Sequence, residues 1–144
     1  MSNLPRVDFY ILAATEPVSR LRFACRLTEK AYALKHGVYA HTGSADEARQ
    51  LDELLWTFRQ GSFVPHGLID DTDERTPVKI GRPDNAQTTG ELLINLSTGT
   101  PDFVGNYKRV AEIVDGSEAS KQAGRERFKQ YRSMGLDPVT HNID

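Results

Sequence analysis

The chain has 144 residues, with 18 Lys+Arg against 20 Asp+Glu and a formal net charge of -2. That length predicts one domain with a core large enough to stand without covalent staples. The charge balance excludes a globally basic nucleic-acid binder, the lone Cys25 excludes a disulfide framework or a cysteine-rich zinc site, and no apolar run approaches the ~20 residues of a membrane span.

The opening residues, Met1-Ser2-Asn3-Leu4-Pro5-Arg6, lack the charged-then-apolar build of a secretory leader, so a reducing cytoplasm is the expected location. Residues 7–14 (VDFYILAA) make a mostly apolar run of strand length, as a strand covered on both faces requires. Glu16 and Pro17 then open a helix, with proline in the first turn, where its missing N–H costs nothing. That helix is expected to run to about Lys35 and stop at Gly37, with Phe23, Leu27, Ala31 and Leu34 on one face. Residues 38–40 read as a short second strand. Ser44-Ala45-Asp46-Glu47 has the S-x-x-E form of a capping box, in which hydroxyl and carboxylate each satisfy an orphan N–H. Behind it, Ala48, Leu51, Leu54, Leu55 and Phe58 form one apolar stripe about 120° wide, and Gly61 follows. This β-α-β-α opening points to a layered α/β domain with parallel strands.

The middle is less regular. The acidic residues 70–74 (DDTDE) read as a solvated loop, residues 78–80 as a short strand, and residues 91–97 (ELLINLS) as a firmer one. Residues 98–102 (TGTPD) carry turn chemistry, and residues 109–114 (RVAEIV) suit a further strand. A last helix fits residues 117–134 and stops at Gly135, with the residues beyond it read as a tail. No repeat or linker divides the chain, so residues 1–144 read as one domain, with 135–144 as its C-terminal tail.

Familiar catalytic signals are missing. Ala13-Ala14-Thr15-Glu16-Pro17 follows the first strand, where a dinucleotide site needs G-x-G-x-x-G, and no phosphate-binding G-x-x-x-x-G-K-[ST] occurs. His36, His41, His66 and His141 show no helical i,i+4 metal spacing, and residues 70–74 lack the ligand pattern of a calcium loop. No cofactor or metal is expected. Cys25 lies mid-helix, the setting of a buried inert thiol. Asp8 on the first strand is a catalytic candidate in principle, with nothing near it in sequence to strengthen the case. It supports the alternative of a small flavodoxin-like hydrolase or nucleotide-binding enzyme, with the loops after the strands as its site.

The last helix is more informative. At about 100° per residue, Lys121, Arg125, Phe128, Lys129 and Arg132 share about 100° of arc. Ala119, Ala123 and Met134 lie round the back, where they can meet the sheet. Residues 117–134 hold five cations (Arg127 is the fifth) against Glu118 and Glu126, so the rest of the chain is net acidic. Three readings fit. The stripe is a solvated face whose long stems cover Phe128. Or it docks an acidic peptide with an apolar end, the ring packing the apolar group. Or it contacts nucleic-acid phosphates, which the acidic remainder and the shortage of stacking aromatics weaken. On the capping-box helix, Trp56 falls about 150° from the centre of the apolar stripe. With Phe63-Val64-Pro65 close behind, it forms either a satellite core rimmed by His66 or a patch offered to a partner.

Leu51-Asp52-Glu53-Leu54-Leu55-Trp56 with Ser62-Phe63-Val64-Pro65-His66, and Lys121-Gln122 leading into Arg125-Glu126-Arg127-Phe128-Lys129 and Tyr131-Arg132, resemble the chi subunit family of bacterial DNA polymerase III holoenzyme. The resemblance spans essentially the whole chain. It implies a single Rossmann-like α/β domain, a mostly parallel central sheet with helices on both faces, and no nucleotide-binding glycine motif. It also implies a non-catalytic accessory subunit of the clamp-loader assembly. Such a subunit pairs with the psi subunit and binds the acidic, phenylalanine-terminated C-terminal tail of single-stranded DNA-binding protein, meeting DNA only indirectly. The family's tail pocket carries over to Lys121, Arg125, Phe128 and Lys129, and its psi-facing surface to Trp56, Phe63 and Pro65. Arg132 joins the first group on wheel geometry alone. Two departures stand out. Phe128 stands where the family often has Tyr, which keeps the ring and loses a hydroxyl. Residues 115–118 (DGSE) are shorter and more polar than the family's usual segment there.

Overall fold

The computed structural model describes residues 4–143. Residues 1–3, the start of the stretch read for a leader, and residue 144, the last of the expected tail, lie outside the described residues. The strands are β1 (Arg6–Leu12), β2 (Val38–His41), β3 (His66–Leu68), β4 (Val78–Gly81), β5 (Gly90–Asn95), β6 (Tyr107–Val114) and β7 (Val139–Ile143). The helices are α1 (Val18–Ala33), α2 (Ala45–Thr57) and α3 (Glu118–Ser133). Among the described residues the strands form one sheet in the order β3-β4-β2-β5-β6-β1-β7, and every pairing is parallel. No helix among them is long and apolar enough to cross a membrane.

The strand period of two divides the core. Along β1, Phe9 and Val7 face a cluster with Val110, Val114, Tyr131 and Leu136, on the side of α3. Leu12 and Tyr10 face the other cluster, with Phe23, Ala24 and Cys25 of α1 and Leu51 and Leu55 of α2. A sheet covered on both faces needs apolar residues at both parities, and this explains the mostly apolar run at residues 7–14. The strand itself ends at Leu12.

The helix ends follow local chemistry. Ser44 Oγ accepts from the Glu47 N–H (3.1 Å), while the Glu47 carboxylate accepts from Gly43 N–H rather than from the cap residue (2.9 Å). At the end of α1 the left-handed residue is Lys35 (φ 65), not Gly37. Such a conformation costs an L-residue about 1–2 kcal/mol. In return His36 N–H reaches Ala31 O (3.0 Å) and closes the helix. Gly37 N–H is instead taken by Glu91 Oε1 (2.9 Å). Leu34, expected on the core face, is 61% exposed, because the helix has ended and its periodicity no longer governs that side chain. Gly135 (φ 86) closes α3 as the sequence implied, with Leu136 N–H bonded to Tyr131 O (3.1 Å).

Two further expectations are corrected, and the solvated acidic segment gains a detail. The supposed tail contains β7, which pairs with β1 from Asp8↔Val139 to Leu12↔Ile143. Its sequence, VTHNI, is a poor strand signal. It is held instead by His141, whose Nε2 lies 2.8 Å from Asp8 Oδ1 and whose ring stacks on Tyr10 (5.0 Å). The acidic residues 70–74 include part of a short 3-10 turn, Ile69–Asp71, that follows β3, a strand too short to leave a periodic trace. Finally, Ala119 and Met134 do not meet the sheet but are exposed, and Ala123 is only half-covered. The inward line of α3 is Gly124, Arg127 and Tyr131, because a buried carboxylate on β6 recruits the last two.

Candidate functional site

That carboxylate is Glu112, fully buried on the α3 face of β6. Arg127 Nε donates to its Oε1 (2.7 Å), and Asn95 Nδ2 (2.8 Å) and the Tyr131 hydroxyl (2.5 Å) donate to Oε2. Burial pushes the Glu112 carboxyl up, and Arg127, Tyr131 and Asn95 pull against it. Arg127 also donates to Thr98 O (3.1 Å). The fifth cation of the helix is therefore structural. It fixes the rotation of α3 about its own axis, so that the remaining cations emerge beside the sheet rather than over it.

The start of the helix is fixed as firmly. Ser117 Oγ accepts from Ser120 N–H (3.3 Å), and Asp115 Oδ1 accepts from both Ser117 N–H (2.8 Å) and Ser117 Oγ (2.6 Å). The polar segment at residues 115–118 is thus a cap. Gly124 then lets α3 close on the sheet, since a Cβ there would lie 2.7 Å from Val114 Cγ2.

These constraints leave a groove of about 240 Å³ between α3 and the sheet edge. Phe9 and Ile11 of β1, Val114 of β6 and Thr140 of β7 line one side, and Gly124 and Phe128 of α3 line the other. Phe128 is half-buried, its ring 5.2 Å from that of Phe9. Lys121 and Arg125 stand at the rim. Lys129 and Arg132 are exposed on the same helix outside the lining. The cations differ in how far they are neutralised. Lys121 and Lys129 each have a glutamate 3.9 Å away, Glu118 and Glu126 respectively. Among the described residues Arg125 has no carboxylate partner and touches only Gln122 Oε1 (3.1 Å). The apolar wall from β1, β6 and β7 was missed in the sequence. Its one available signal was the alternation that sends Phe9 and Ile11 to the same face.

The second region lies at the end of α2. Trp56 is 54% and Phe63 64% exposed, with ring centroids 5.8 Å apart. The loop beneath them is anchored by buried Val64 and by His66, whose ring lies 4.5 Å from Trp56. His66 Nδ1 faces Val64 O (2.6 Å) and Nε2 faces Asp52 O (2.9 Å), so the imidazole clips the loop to the helix. Ser62 Oγ donates to Glu29 Oε2 on α1 (2.6 Å). Pro65 is half-buried beside the rings. Two large exposed aromatics, Trp56 at the end of α2 and Phe63 on the pinned loop, form an apolar platform.

Asp8 is spoken for. Its buried carboxylate is met by Arg109 (3.0 Å), Arg6 (3.2 Å) and His141 (2.8 Å). Burial raises this carboxyl, but His141, Arg6 and Arg109 outweigh it and hold it below its ordinary 3.8. A carboxylate bound by three donors ties strands together and has no free oxygen for a substrate. Burial also pushes the Cys25 thiol up to about 12, the state of an inert core thiol. Among the described residues no three His, Cys, Asp or Glu side chains converge as a metal site.

A family model described as DNA polymerase III chi subunit, HolC, matches residues 4–139. The chain is 39% identical over 140 residues to DNA polymerase III subunit chi of Pseudomonas aeruginosa, covering 97% of this chain and 98% of that protein. It is 33% identical to the subunit chi of Haemophilus influenzae (94% and 96% covered) and 30% identical to that of Escherichia coli (93% and 95%). In fold it is similar to T4 UvsW, with a TM-score of 0.69 at 8% identity, over 98% of this chain and 42% of that one. Saccharomyces cerevisiae Dbp5 gives 0.63 at 15% identity, over 100% and 43%. At such identities these two share the architecture alone.

Proposed function

The chain belongs to the DNA polymerase III chi subunit family, and on that premise we propose that it is a non-catalytic adaptor of the replicative polymerase. It ties the clamp-loader assembly, through the psi subunit, to single-stranded DNA-binding protein in the cytoplasm, without a cofactor of its own. The observation that carries the reading is the hollow beside Phe128 with Lys121 and Arg125 at its mouth. An acidic tail ending in phenylalanine fits such a place. Its ring packs against Phe128 in the groove lined by Ile11, Val114 and Gly124, its terminal carboxylate meets Arg125 and Lys121, and upstream aspartates run along Lys129 and Arg132. Charge-assisted contacts of this kind steer encounter and weaken with salt, so the affinity is modest and salt-sensitive. Psi takes the other region, with Trp56 and Phe63 as anchors and Pro65 beside them.

The test is a calorimetric titration with a peptide of acidic residues ending in phenylalanine, against the same peptide lacking that last residue. The complete peptide binds and the shortened one loses most of its affinity. Arg125→Ala weakens the complete peptide by about 1–3 kcal/mol, as expected for a lost charged hydrogen bond. Equal binding of the two peptides, or an unchanged Arg125→Ala, rules the groove out as the tail site.

A further inference from the structure

On the sheet face opposite α3, a second cavity of about 350 Å³ opens between the C-terminal half of α1 and the first residues of β5 and β6. Its walls are Tyr10, Leu27, Ala31, Leu34, Leu92 and Ala111. The two cavities stand back to back because β1 alternates, with Phe9 and Ile11 entering the α3 groove and Tyr10 entering this one. Neither docking region described above uses it.

The mouth is cationic. Lys30 projects from α1, and Lys108 and Arg109 from the start of β6. Among the described residues neither lysine has a carboxylate within ion-pair distance. Arg109 gives its Nε to Asp8 (3.0 Å) and also lies against the Tyr10 side chain, with its guanidinium half-exposed at the mouth. Glu91 is the one acid at the mouth, and it is committed elsewhere. Its Oε1 accepts from Gly37 N–H (2.9 Å) and its Oε2 faces His36 Nδ1 (3.3 Å). Those contacts, the Gly37 bond foremost, hold its carboxyl below the ordinary range. Leu34 is left in water at the edge of an apolar hole, which a ligand would cover.

An apolar chamber with a few converging charged groups, in the ~300–1,000 Å³ range, is the build of a small-molecule site. We propose that this cavity binds a small amphipathic carboxylate, its aromatic or branched aliphatic body against Tyr10, Leu27 and Leu92 and its carboxylate at Lys30, Lys108 and the half-exposed guanidinium of Arg109. The charge complementarity selects an anion, and the limited volume of about 350 Å³ selects a compact body over an extended chain.

The test uses the full chain, with 4-phenylbutyrate as the probe and 4-phenylbutanol as its uncharged counterpart, followed by backbone amide chemical shifts. Phenylbutyrate shifts the amides of Leu27, Ala31, Leu34, Leu92 and Ala111, and phenylbutanol binds more weakly. The double substitution Lys30→Gln/Lys108→Gln, at exposed residues without carboxylate partners, weakens phenylbutyrate roughly three- to tenfold. Leu34→Asp, at an exposed position outside the helix, abolishes it while thermal unfolding stays unchanged. Shifts confined to Gly124 and Phe128, or equal binding of acid and alcohol, overturn the proposal. So does a pocket that ignores phenylbutyrate but responds to an acidic peptide.

Discussion

The groove beside α3 and the Trp56/Phe63 platform differ in how many parts of the chain build them. The groove draws on β1, β6, β7 and α3, from Phe9 to Thr140. The platform uses one helix end and the loop after it, and His66 clips that loop to α2. The groove has a cationic rim around a small apolar hollow, whereas the platform offers broad rings, and the arginine of its loop, Arg59, is paired with Glu29 (3.2 Å). On the proposed reading, binding at the first is governed by charge and by the placement of α3, and binding at the second by apolar area. Damage to long-range packing should disable the groove first and leave the platform standing.

The sharpest way to break that contrast is Arg127→Ala. Removing one partner strands the buried Glu112 carboxylate, and such losses cost about 3–5 kcal/mol. Denaturant unfolding should show this, with tail-peptide binding lost before binding of psi. The penalty should also shrink on acidification. Without Arg127 the Glu112 carboxyl rises further above its unfolded value, so the folded state gains a proton as pH falls and recovers stability. A penalty that is the same at every pH would mean that Glu112 is not the group left unpaired.

Trp56→Ala probes the other side. As an exposed ring it should shift the unfolding free energy by no more than about 0.5 kcal/mol, yet weaken psi binding by about 2 kcal/mol or more, as a hot-spot anchor does. Calorimetry in low and high salt sharpens the point, since this binding should barely change while tail-peptide binding falls. A variant that unfolds would make Trp56 part of the core.

The smallest effect concerns the edge of the groove. Asp8 has a depressed carboxyl, so its stabilising contribution is complete above its unfolded value near 3.8 and is lost as pH falls through the lower folded value. Hydrogen exchange in acid should therefore open β7, which Asp8 holds through His141, before it opens the Trp56 loop. Asp8→Asn should remove that difference. Equal protection of the two regions at low pH would show that β7 does not depend on this carboxylate.

Local and periodic features were legible in the chain itself. The capping box at Ser44, the glycine stop at Gly135 and the outward Trp56 follow from hydrogen-bonding rules and helix geometry over a few residues. Four cations of α3 also point outward as the wheel implies. Arg127 does not, because its position depends on Glu112, on the preceding strand and beyond the reach of helix periodicity. The same limit hid β7, whose residues VTHNI carry almost no pattern.

The sequence by itself therefore determined the layered parallel architecture, the helix faces set by local spacing and, through its motifs, the family. Tertiary structure alone decided which cation is buried, that the last residues close the sheet edge, and that two cavities stand back to back across β1. The physical reason is range. Periodicity and capping act within a turn or two of helix, whereas a buried ion pair or a cavity wall exists only once distant segments are packed together.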